Sequence, residues 1–360
     1  MDRRKFIKNL GAGSLVAGAA LASAPVVHAK KTIKWKMITT WPKNFPGLGT
    51  GANFLANLIG EMSGGRLQVK VYGAGEMVPP FEVFDAVSAG TAQMGHAAAL
   101  YWKGKSPAAQ FFAGVPYGLT GQEMNAWLYY GGGMALWKEV YAPFGLVPAA
   151  AGNSGVQMAG WFNKEINSMA DLKGLKMRIP GLGGDVLKRA GGTPVNIPGG
   201  EIYSSLKSGA IDATEWIGPY NDLAFGFYKA AKYYYYPGWH EPGTSLEATI
   251  NKEALESLPK DLQTIVLQSC RVSSDELTAE YTARNASALE TLKVKHKVAV
   301  KRLPDEVLTN LRTLSEQVVA DVASKDPLTK KVYESYFQFR EQSIAWQNIS
   351  ERAYLNARDL

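Results

Sequence analysis

The chain is almost without the residues that build disulfides and soft-metal centres. Its 360 residues include one cysteine, Cys270, and four histidines. A single cysteine excludes an intrachain disulfide and a cysteine-based metal site. The histidines lie far apart, and no HxxxH or CxxC spacing occurs, so a zinc-type centre is not expected. A nucleophile elbow and a nucleotide-binding glycine fingerprint are also missing from the sequence, which argues against the common hydrolase and nucleotide-binding classes.

Dense blocks of one charge are missing as well. The formal net charge is +7; residues 1–29 contain four Lys or Arg and one Asp, so residues 30–360 carry +4. The remaining Lys and Arg residues are spread along the chain, which argues against a nucleic-acid partner. Hydrophobic residues make up 46% of the chain, and no long apolar run follows residue 29. This composition predicts a soluble globular protein with enough length for two domains.

The first 29 residues have the features of an export signal. Residues 2–8 read DRRKFIK, which is close to the twin-arginine export pattern. Residues 10–29 carry no Asp, Glu, Lys or Arg and end in a small-residue cleavage site at Ala29. A membrane anchor is the alternative, since about 20 apolar residues span a bilayer, but the many Gly, Ala and Ser residues favour cleavage. We therefore predict a signal peptide at 1–29, the twin-arginine route, and a periplasmic protein that begins at Lys30.

After the signal, strand patterns alternate with helix patterns in two successive rounds. The first round starts with the strands IKWKMITT (33–40) and LQVKVY (67–72), with a helix between them. The second runs from about residue 156 to the tyrosine run 233–236, and from Ala248 onward the pattern is almost entirely helical. This rhythm predicts an α/β fold with two lobes and largely parallel sheets. Ligands of open α/β sheets sit at the carboxyl ends of the strands, so we expect a cleft between the lobes.

The last predicted helix, residues 331–352, has apolar side chains on more than one face, among them Tyr336, Phe339 and Trp346. A helix of this kind is buried between two surfaces. Those surfaces are either the two lobes of the same chain, or one chain and a second subunit.

Four short motifs carry candidate binding residues. The segment DLKGLKMRIPG contains Arg178, and LKSGAIDATEW, about thirty residues later, ends in Glu215 and Trp216. GVQMAGW contains Gln157, and HEPG contains Glu241. A guanidinium offers a planar fork of donors that matches the two oxygens of a carboxylate. Carboxylate and amide oxygens are hard ligands, which suit Na⁺ or Ca²⁺ better than softer metals.

Together these motifs resemble those of the periplasmic solute-binding receptors of TRAP transporters, in particular the subgroup that binds α-keto acids. The resemblance spans nearly the whole chain after residue 29. It implies a two-lobed periplasmic-binding-protein fold with a hinge, a central cleft and a long C-terminal helix. It also implies discontinuous lobes, for which we predict residues 30–153 with about 245–285 in lobe 1, 154–244 with about 286–330 in lobe 2, and a C-terminal dimerisation helix at 331–360.

By this resemblance, Arg178 clamps the carboxylate of the ligand. Tyr101, in AAALYWKGK, is expected to line the cleft and to donate its hydroxyl to the ligand, and Asn153 is a further ligand-binding candidate. The predicted ligand-binding set is completed by Gln157, Trp216 and Glu241.

The resemblance also implies a metal ion that bridges the protein and the ligand. Its expected ligands are Glu215, the backbone carbonyl of Trp216, the amide oxygen of Gln157, and Glu241. The sequence leaves Na⁺ and Ca²⁺ open, and no organic cofactor is expected. His240 has no nucleophile partner in the sequence, so we assign it a structural role.

The predicted function is that of an extracytoplasmic receptor and not an enzyme. The receptor closes around a small 2-oxo or 2-hydroxy monocarboxylate such as pyruvate and delivers it to the small and large membrane subunits of a TRAP transporter. The subgroup also predicts a homodimer through the C-terminal helix. Two alternatives stay open at this point: a periplasmic enzyme acting on a small carboxylate, and the ligand-sensing module of a signalling system. No motif sets the size of the cleft or decides among pyruvate, lactate and bulkier acids.

Overall fold

The computed structural model describes residues 32–360, and the predicted signal peptide lies outside them. The β-strands of the described chain are β1 (Ile33–Thr39), β2 (Leu67–Tyr72), β3 (Met94–Ala97), β4 (Leu146–Asn153), β5 (Gly160–Phe162), β6 (Lys176–Arg178), β7 (Thr193–Val195), β8 (Ala213–Thr214), β9 (Tyr233–Tyr236), β10 (Ser245–Asn251) and β11 (Ala299–Arg302). The α-helices are α1 (Leu48–Met62), α2 (Val83–Ser88), α3 (Gly121–Tyr130), α4 (Gly133–Tyr141), α5 (Gly181–Arg189), α6 (Gly199–Ser208), α7 (Pro219–Phe225), α8 (Lys252–Glu256), α9 (Lys260–Glu290), α10 (Asp305–Ala323), α11 (Pro327–Gln347) and α12 (Glu351–Arg358).

The strands form two separate mixed sheets. Sheet 1 has the order β2-β1-β3-β10-β4, in which β1 pairs in parallel with β2 and β3, while β10 runs antiparallel to β3 and β4. Sheet 2 has the order β11-β9-β5-β8-β6-β7, in which β5 is the one strand that runs antiparallel to its neighbours β8 and β9. The predicted α/β class is therefore present, with more antiparallel pairing than expected. The lobe boundaries stay a prediction; of the late strands, β10 joins sheet 1 and β11 joins sheet 2.

The sequence pattern misses three strands, β4, β10 and β11. β4 contains Pro148 and Gly152 within a run of alanines, all poor strand formers, and it is buried along nearly its whole length. Strands covered on both faces lose the apolar–polar alternation that identifies a strand in a sequence. The helical pattern expected after Ala248 is wrong for β10 and β11, because β10 (SLEATIN) carries polar residues that are buried by distant parts of the chain.

The long helix α9 runs beside both sheets. Its buried residues follow a helical spacing that includes Leu262, Val266, Ser273 and Leu277, so one stripe faces the protein. In its middle, the Ser273 hydroxyl donates to the carbonyl of Ala151 in β4 at 3.3 Å. Further along, α9 packs against α7 of the sheet 2 side. α9 therefore ties the two sheets together on one side of the molecule.

Two helices, and not one, end the chain. α11 begins at Pro327, four residues before the predicted start, because Asp326 caps it by accepting from the backbone N–H of Thr329 at 2.8 Å. It ends at Gln347, and α12 follows after a short turn. Tyr336 of α11 is fully buried, whereas Trp346 is 64% exposed. The first half of α11 is therefore packed on its own chain, and its end is left open to solvent. None of the helices in residues 32–360 is long and apolar enough to cross a membrane.

Candidate ligand and metal site

A buried chamber lies between the two sheets and contains several of the predicted site residues. It is lined from the sheet 1 side by Trp41, Ala98, Leu100, Tyr101, Thr244 and Leu246, and from the sheet 2 side by Gln157, Arg178, Pro180, Glu215, Trp216, Ile217 and Glu241. A larger groove of about 590 Å³ lies between α1 and α9. The charges of that groove are exposed or paired locally, as Arg284 is with Glu280. The chamber is the better candidate because its charged groups are buried, which is costly unless they serve binding or structure.

Adjacent parallel strands bring Arg178 and Glu215 together. Arg178 is the last residue of β6, it lies opposite Thr214 of β8, and the backbone N–H of Glu215 donates to its carbonyl at 3.1 Å. Both side chains are 1% exposed, and Nη1 of Arg178 donates to Oε1 of Glu215. These positions are the carboxyl ends of parallel strands, where open α/β sheets bind their ligands.

The guanidinium of Arg178 is held on three sides. Nε donates to the carbonyl of Ile197 at 3.3 Å, and Nη2 donates to the Tyr101 hydroxyl at 3.4 Å. The ring of Trp216 lies with its centroid 5.0 Å from the guanidinium carbon. Burial is the largest single influence and lowers the pKa of Arg178, but the charges of Glu215 and Glu241 and the contact with Tyr101 together outweigh it and raise that pKa. Arg178 is therefore a permanently charged, oriented fork in a buried site.

Tyr101 reaches the chamber from sheet 1. Burial raises the pKa of its hydroxyl to about 12, against a smaller opposing effect of the Arg178 charge. The hydroxyl is accordingly protonated at neutral pH and can donate a hydrogen bond to an anion beside Arg178.

Glu215, His240 and Glu241 present ligating atoms that lie within 4.8 Å of one another. Glu241 accepts from the Thr244 hydroxyl at 2.6 Å and from Nε2 of Gln157 at 2.8 Å. Burial, and then the negative charge of Glu215, raise the pKa of Glu241 to about 7. Nε2 of His240 lies 3.4 Å from Oε2 of Glu215, so a residue that the sequence assigned to structure alone stands in the same cluster.

The amide of Gln157 leaves one oxygen free. Its Nε2 donates to Ser154, Glu241 and Thr244. In the described part of the chain no group donates a hydrogen bond to its buried Oε1. Two carboxylates and an unpaired amide oxygen form a set of hard oxygen donors, which fits Na⁺ or Ca²⁺.

Asn153 does not line the chamber. Its Nδ2 donates to the carbonyl of Gly243 at 3.2 Å, and its Oδ1 accepts from the backbone N–H of Gly155 at 2.8 Å. Both ends of the amide therefore fasten loops beside the site. The placement of Asn153 argues for this structural role and against the predicted contact with the ligand.

Trp41 forms a wall of the chamber, although it lies in none of the four motifs described above. Its Nε1 donates to Nδ1 of His96 at 2.8 Å, and its ring centroid lies 6.2 Å from those of Tyr101 and Trp216. Burial lowers the pKa of His96 to about 4, so a neutral imidazole accepts this hydrogen bond. Trp41 follows β1, a parallel strand, and its position at the carboxyl end is the signal that could have identified it.

A family model described as bacterial extracellular solute-binding protein, family 7 (DctP) matches residues 38–326. The chain belongs to this family. The protein is therefore an extracytoplasmic receptor of the TRAP transporter type and not an enzyme.

The receptor has close relatives over nearly its full length. It is 43% identical over 362 residues to the monocarboxylate 2-oxoacid-binding periplasmic protein of Nostoc sp. (strain PCC 7120), with 99% of this chain and 98% of the relative covered. A solved receptor from Pseudoalteromonas atlantica T6c with bound sodium and pyruvate has a TM-score of 0.88 at 42% identity, covering 91% of this chain and 99% of that one. One from Bordetella bronchiseptica, a mixed-occupancy dimer with copurified calcium and picolinate, has a TM-score of 0.89 at 39% identity, covering 91% and 97%. The predicted family and fold class are thus confirmed.

Proposed function

We propose that this receptor binds a small 2-oxo or 2-hydroxy monocarboxylate, with pyruvate as the first candidate, together with Na⁺ or Ca²⁺. It would then deliver the acid to the small and large membrane subunits of a TRAP transporter. The observation that carries the proposal is one buried chamber that is lined by the cationic fork of Arg178, by its ion-pair partner Glu215 and by the unpaired amide oxygen of Gln157. The ligands found in the relatives from Pseudoalteromonas and Bordetella, carboxylates with a bound cation, support it.

In this proposal each chemical group of the ligand has its own partner. Arg178 and the hydroxyl of Tyr101 hold the carboxylate, and Trp216 covers it. Glu215, the Trp216 carbonyl, Gln157 and Glu241 would hold the cation, and the cation would chelate a carboxylate oxygen and the 2-oxygen together. That chelation explains a preference for acids oxygenated at carbon 2.

The charge balance calls for the cation. Arg178 contributes +1, while the ligand, Glu215 and Glu241 contribute −1 each, which leaves −2, or −1 if Glu241 is neutral. A buried surplus of negative charge is costly unless it is compensated. Ca²⁺ suits the first case and Na⁺ the second.

Calorimetric titration of the metal-stripped protein with pyruvate, alone and with Na⁺ or Ca²⁺, tests the proposal. We expect saturable one-to-one binding that requires one of the ions. Arg178→Ala should weaken binding at least about a hundredfold, because each charge-assisted hydrogen bond contributes about 1.5–3 kcal/mol. Glu215→Gln should raise the ion concentration needed for half-maximal binding. In Arg178→Lys the charge stays and the planar fork is lost, so this variant should also bind weakly.

The matched control is Arg189→Ala, which removes an arginine that is paired with Asp321 on the surface. It should bind pyruvate like the unmodified protein. Tight binding by the folded Arg178→Ala variant would refute the assignment of the site. Absence of pyruvate binding under every ionic condition would refute the assignment of the ligand.

We propose further that the receptor is a homodimer and that residues 1–29 direct it through the twin-arginine route to the periplasm. Trp346, Ile349 and Tyr354, at the end of α11 and in the segment after it, are 64%, 76% and 65% exposed. Large exposed apolar side chains that are close together are typical of an interface. The description of the Bordetella relative as a dimer agrees with this proposal. The export route rests on the arginine pair Arg3 and Arg4 in DRRKFIK.

A further inference from the structure

Six lysines lie in three segments that adjoin sheet 2: one in α6, two before β9 and three before β11. We call them the lysine patch: Lys207, Lys229, Lys232, Lys293, Lys295 and Lys297. All six are exposed. None of the six forms an ion pair with any residue between 32 and 360. Charge that looks scattered along the sequence is therefore concentrated by the fold.

Direct contacts join the three segments. Nζ of Lys207 donates to the carbonyl of Lys229 at 3.3 Å. The ring of Tyr228 packs against that of His296 in a tilted arrangement, with centroids 3.9 Å apart. β11 pairs with β9 so that Ala299 lies opposite Tyr233. This register places the residues before β11, Lys297 among them, beside those before β9, which include Lys232.

The backbone of the third segment turns its lysines outward. Residues Thr291–Lys295 form a π-helical turn, in which Leu292 is fully buried while Lys293, Val294 and Lys295 are exposed. Wide turns of this kind recur at functional sites. Lys297 has φ +54°, a left-handed conformation that is uncommon for a lysine and easy for a glycine. A lysine therefore occupies a position whose backbone conformation suits glycine better.

Few acidic residues lie near the lysine patch to offset its positive charge. Residues 291–302 contain five Lys or Arg and no Asp or Glu. Glu165, which lies near β11, is paired with Lys301 at 2.9 Å. The acids that flank the segments in sequence are the exposed Glu201 and Glu290 and the half-buried Asp212.

The patch lies at the end of sheet 2 that is remote from the chamber. Arg178 and Glu215 stand at the carboxyl ends of β6 and β8, and β9 and β11 run in the same direction as those strands. The lysines precede β9 and β11, at the opposite edge. A surface that binds the patch would therefore leave the chamber free to bind its ligand.

We propose that the lysine patch binds the surface of an anionic phospholipid bilayer and holds the receptor beside the membrane. All six cations are lysines, whose compact, strongly hydrated charges suit diffuse attraction to a charged surface, whereas arginine suits fixed bidentate contacts. Clusters of four to eight basic residues attract anionic membranes. Val294, 56% exposed between two of the lysines, adds an apolar group that a bilayer can accept. The proposal does not depend on which carboxylate the chamber takes.

Co-sedimentation of the exported, purified protein with vesicles tests this inference. We expect binding to vesicles of phosphatidylglycerol mixed with phosphatidylcholine, loss of binding as salt rises, and none to phosphatidylcholine alone. The variant K229Q/K293Q/K295Q/K297Q should lose at least about a hundredfold in partition, since each lysine contributes roughly fivefold. The control K36Q/K138Q/K260Q/K325Q removes four exposed lysines that lie on separate elements, and it should bind as before.

The single variant Lys297→Gly separates the loss of a positive charge from a loss of folding stability. It should raise the melting temperature, because glycine adopts φ +54° without steric cost, and at the same time weaken vesicle binding. The proposal is overturned if the control variant loses as much binding as the patch variant, or if the unmodified protein ignores anionic vesicles at low salt. Binding that depends on the patch but appears only when the membrane subunits are in the vesicle would also overturn it, in favour of a protein partner.

Discussion

Replacing Glu247 by glutamine should stabilise this receptor above neutral pH and leave its stability almost unchanged at acidic pH. Glu247 lies in β10, is fully buried, and accepts hydrogen bonds from Nε1 of Trp102 and, at 2.7 Å, from the hydroxyl of Tyr141. Burial raises the pKa of this carboxyl from its ordinary 4.5 to about 7. A glutamine can keep its oxygen toward Trp102 and donate to Tyr141, since a hydroxyl both donates and accepts. Glutamine therefore mimics the protonated acid.

The size of the effect follows from proton linkage. The folded protein holds the proton of Glu247 more tightly than the unfolded chain does, so the carboxyl contributes its full stability below pH 4.5. That contribution is lost as the pH rises through about 7. The difference between the two pKa values corresponds to on the order of 3 kcal/mol. The variant has no titratable group at residue 247. Its free energy of unfolding should therefore exceed that of the unmodified protein by nearly nothing at low pH and by on the order of 3 kcal/mol at high pH.

Urea unfolding of both proteins at a series of pH values measures the difference directly. Glu316→Gln, which changes an exposed glutamate in a surface ion pair, is the control and should not reproduce the pH-dependent gap. A gap between Glu247→Gln and the unmodified protein that is the same at every pH would refute the reasoning. So would a variant that is less stable than the unmodified protein at high pH, since the glutamine would then fail to satisfy Trp102 and Tyr141.

The remaining predictions concern assembly and export. Trp346→Glu should convert a dimer into a monomer in light scattering, because it places a charge on an exposed apolar surface. The control Val272→Glu, on the exposed side of α9, should leave the mass unchanged. A dimer that survives Trp346→Glu would argue against this interface. Replacing both Arg3 and Arg4 by lysine should retain the protein in the cytoplasm, as shown by cell fractionation, and normal export of that variant would exclude the twin-arginine route.

The sequence predicted best where local pattern and structure agree. β2 and β9 lie at the predicted residues because Leu67–Tyr72 alternates and Tyr233–Tyr236 is a run of strand formers. The family motifs placed Arg178 and Glu215 in one site although 37 residues separate them, but they did not predict that the two side chains pair directly. The structure shows the physical reason for it, because β6 and β8 are neighbours in sheet 2.

What the sequence could not show depends on partners far along the chain. Glu247 lies just before the stretch predicted as helical, and no local pattern indicates that Trp102 and Tyr141, 145 and 106 residues away, cover it in β10. His240 belongs to the carboxylate cluster because the fold brings it close to Glu215, and no sequence motif indicates this contact. The lysine patch is likewise assembled from three segments, of which only the one before β11 holds more than two of the six lysines. In each case the missing information is which strands become neighbours.

The helix α9 gives the protein a mechanical element. It has 31 residues and is about 46 Å long at 1.5 Å per residue. Its middle is fastened to sheet 1 through Ser273, and nearer its end Asn285 accepts from the backbone N–H of Tyr220 on the sheet 2 side at 3.0 Å. Any rotation of one sheet against the other must therefore bend this rod or break one of its attachments. If a ligand draws the two sheets together at the chamber, part of its binding free energy must therefore go into bending α9 or breaking one of these attachments.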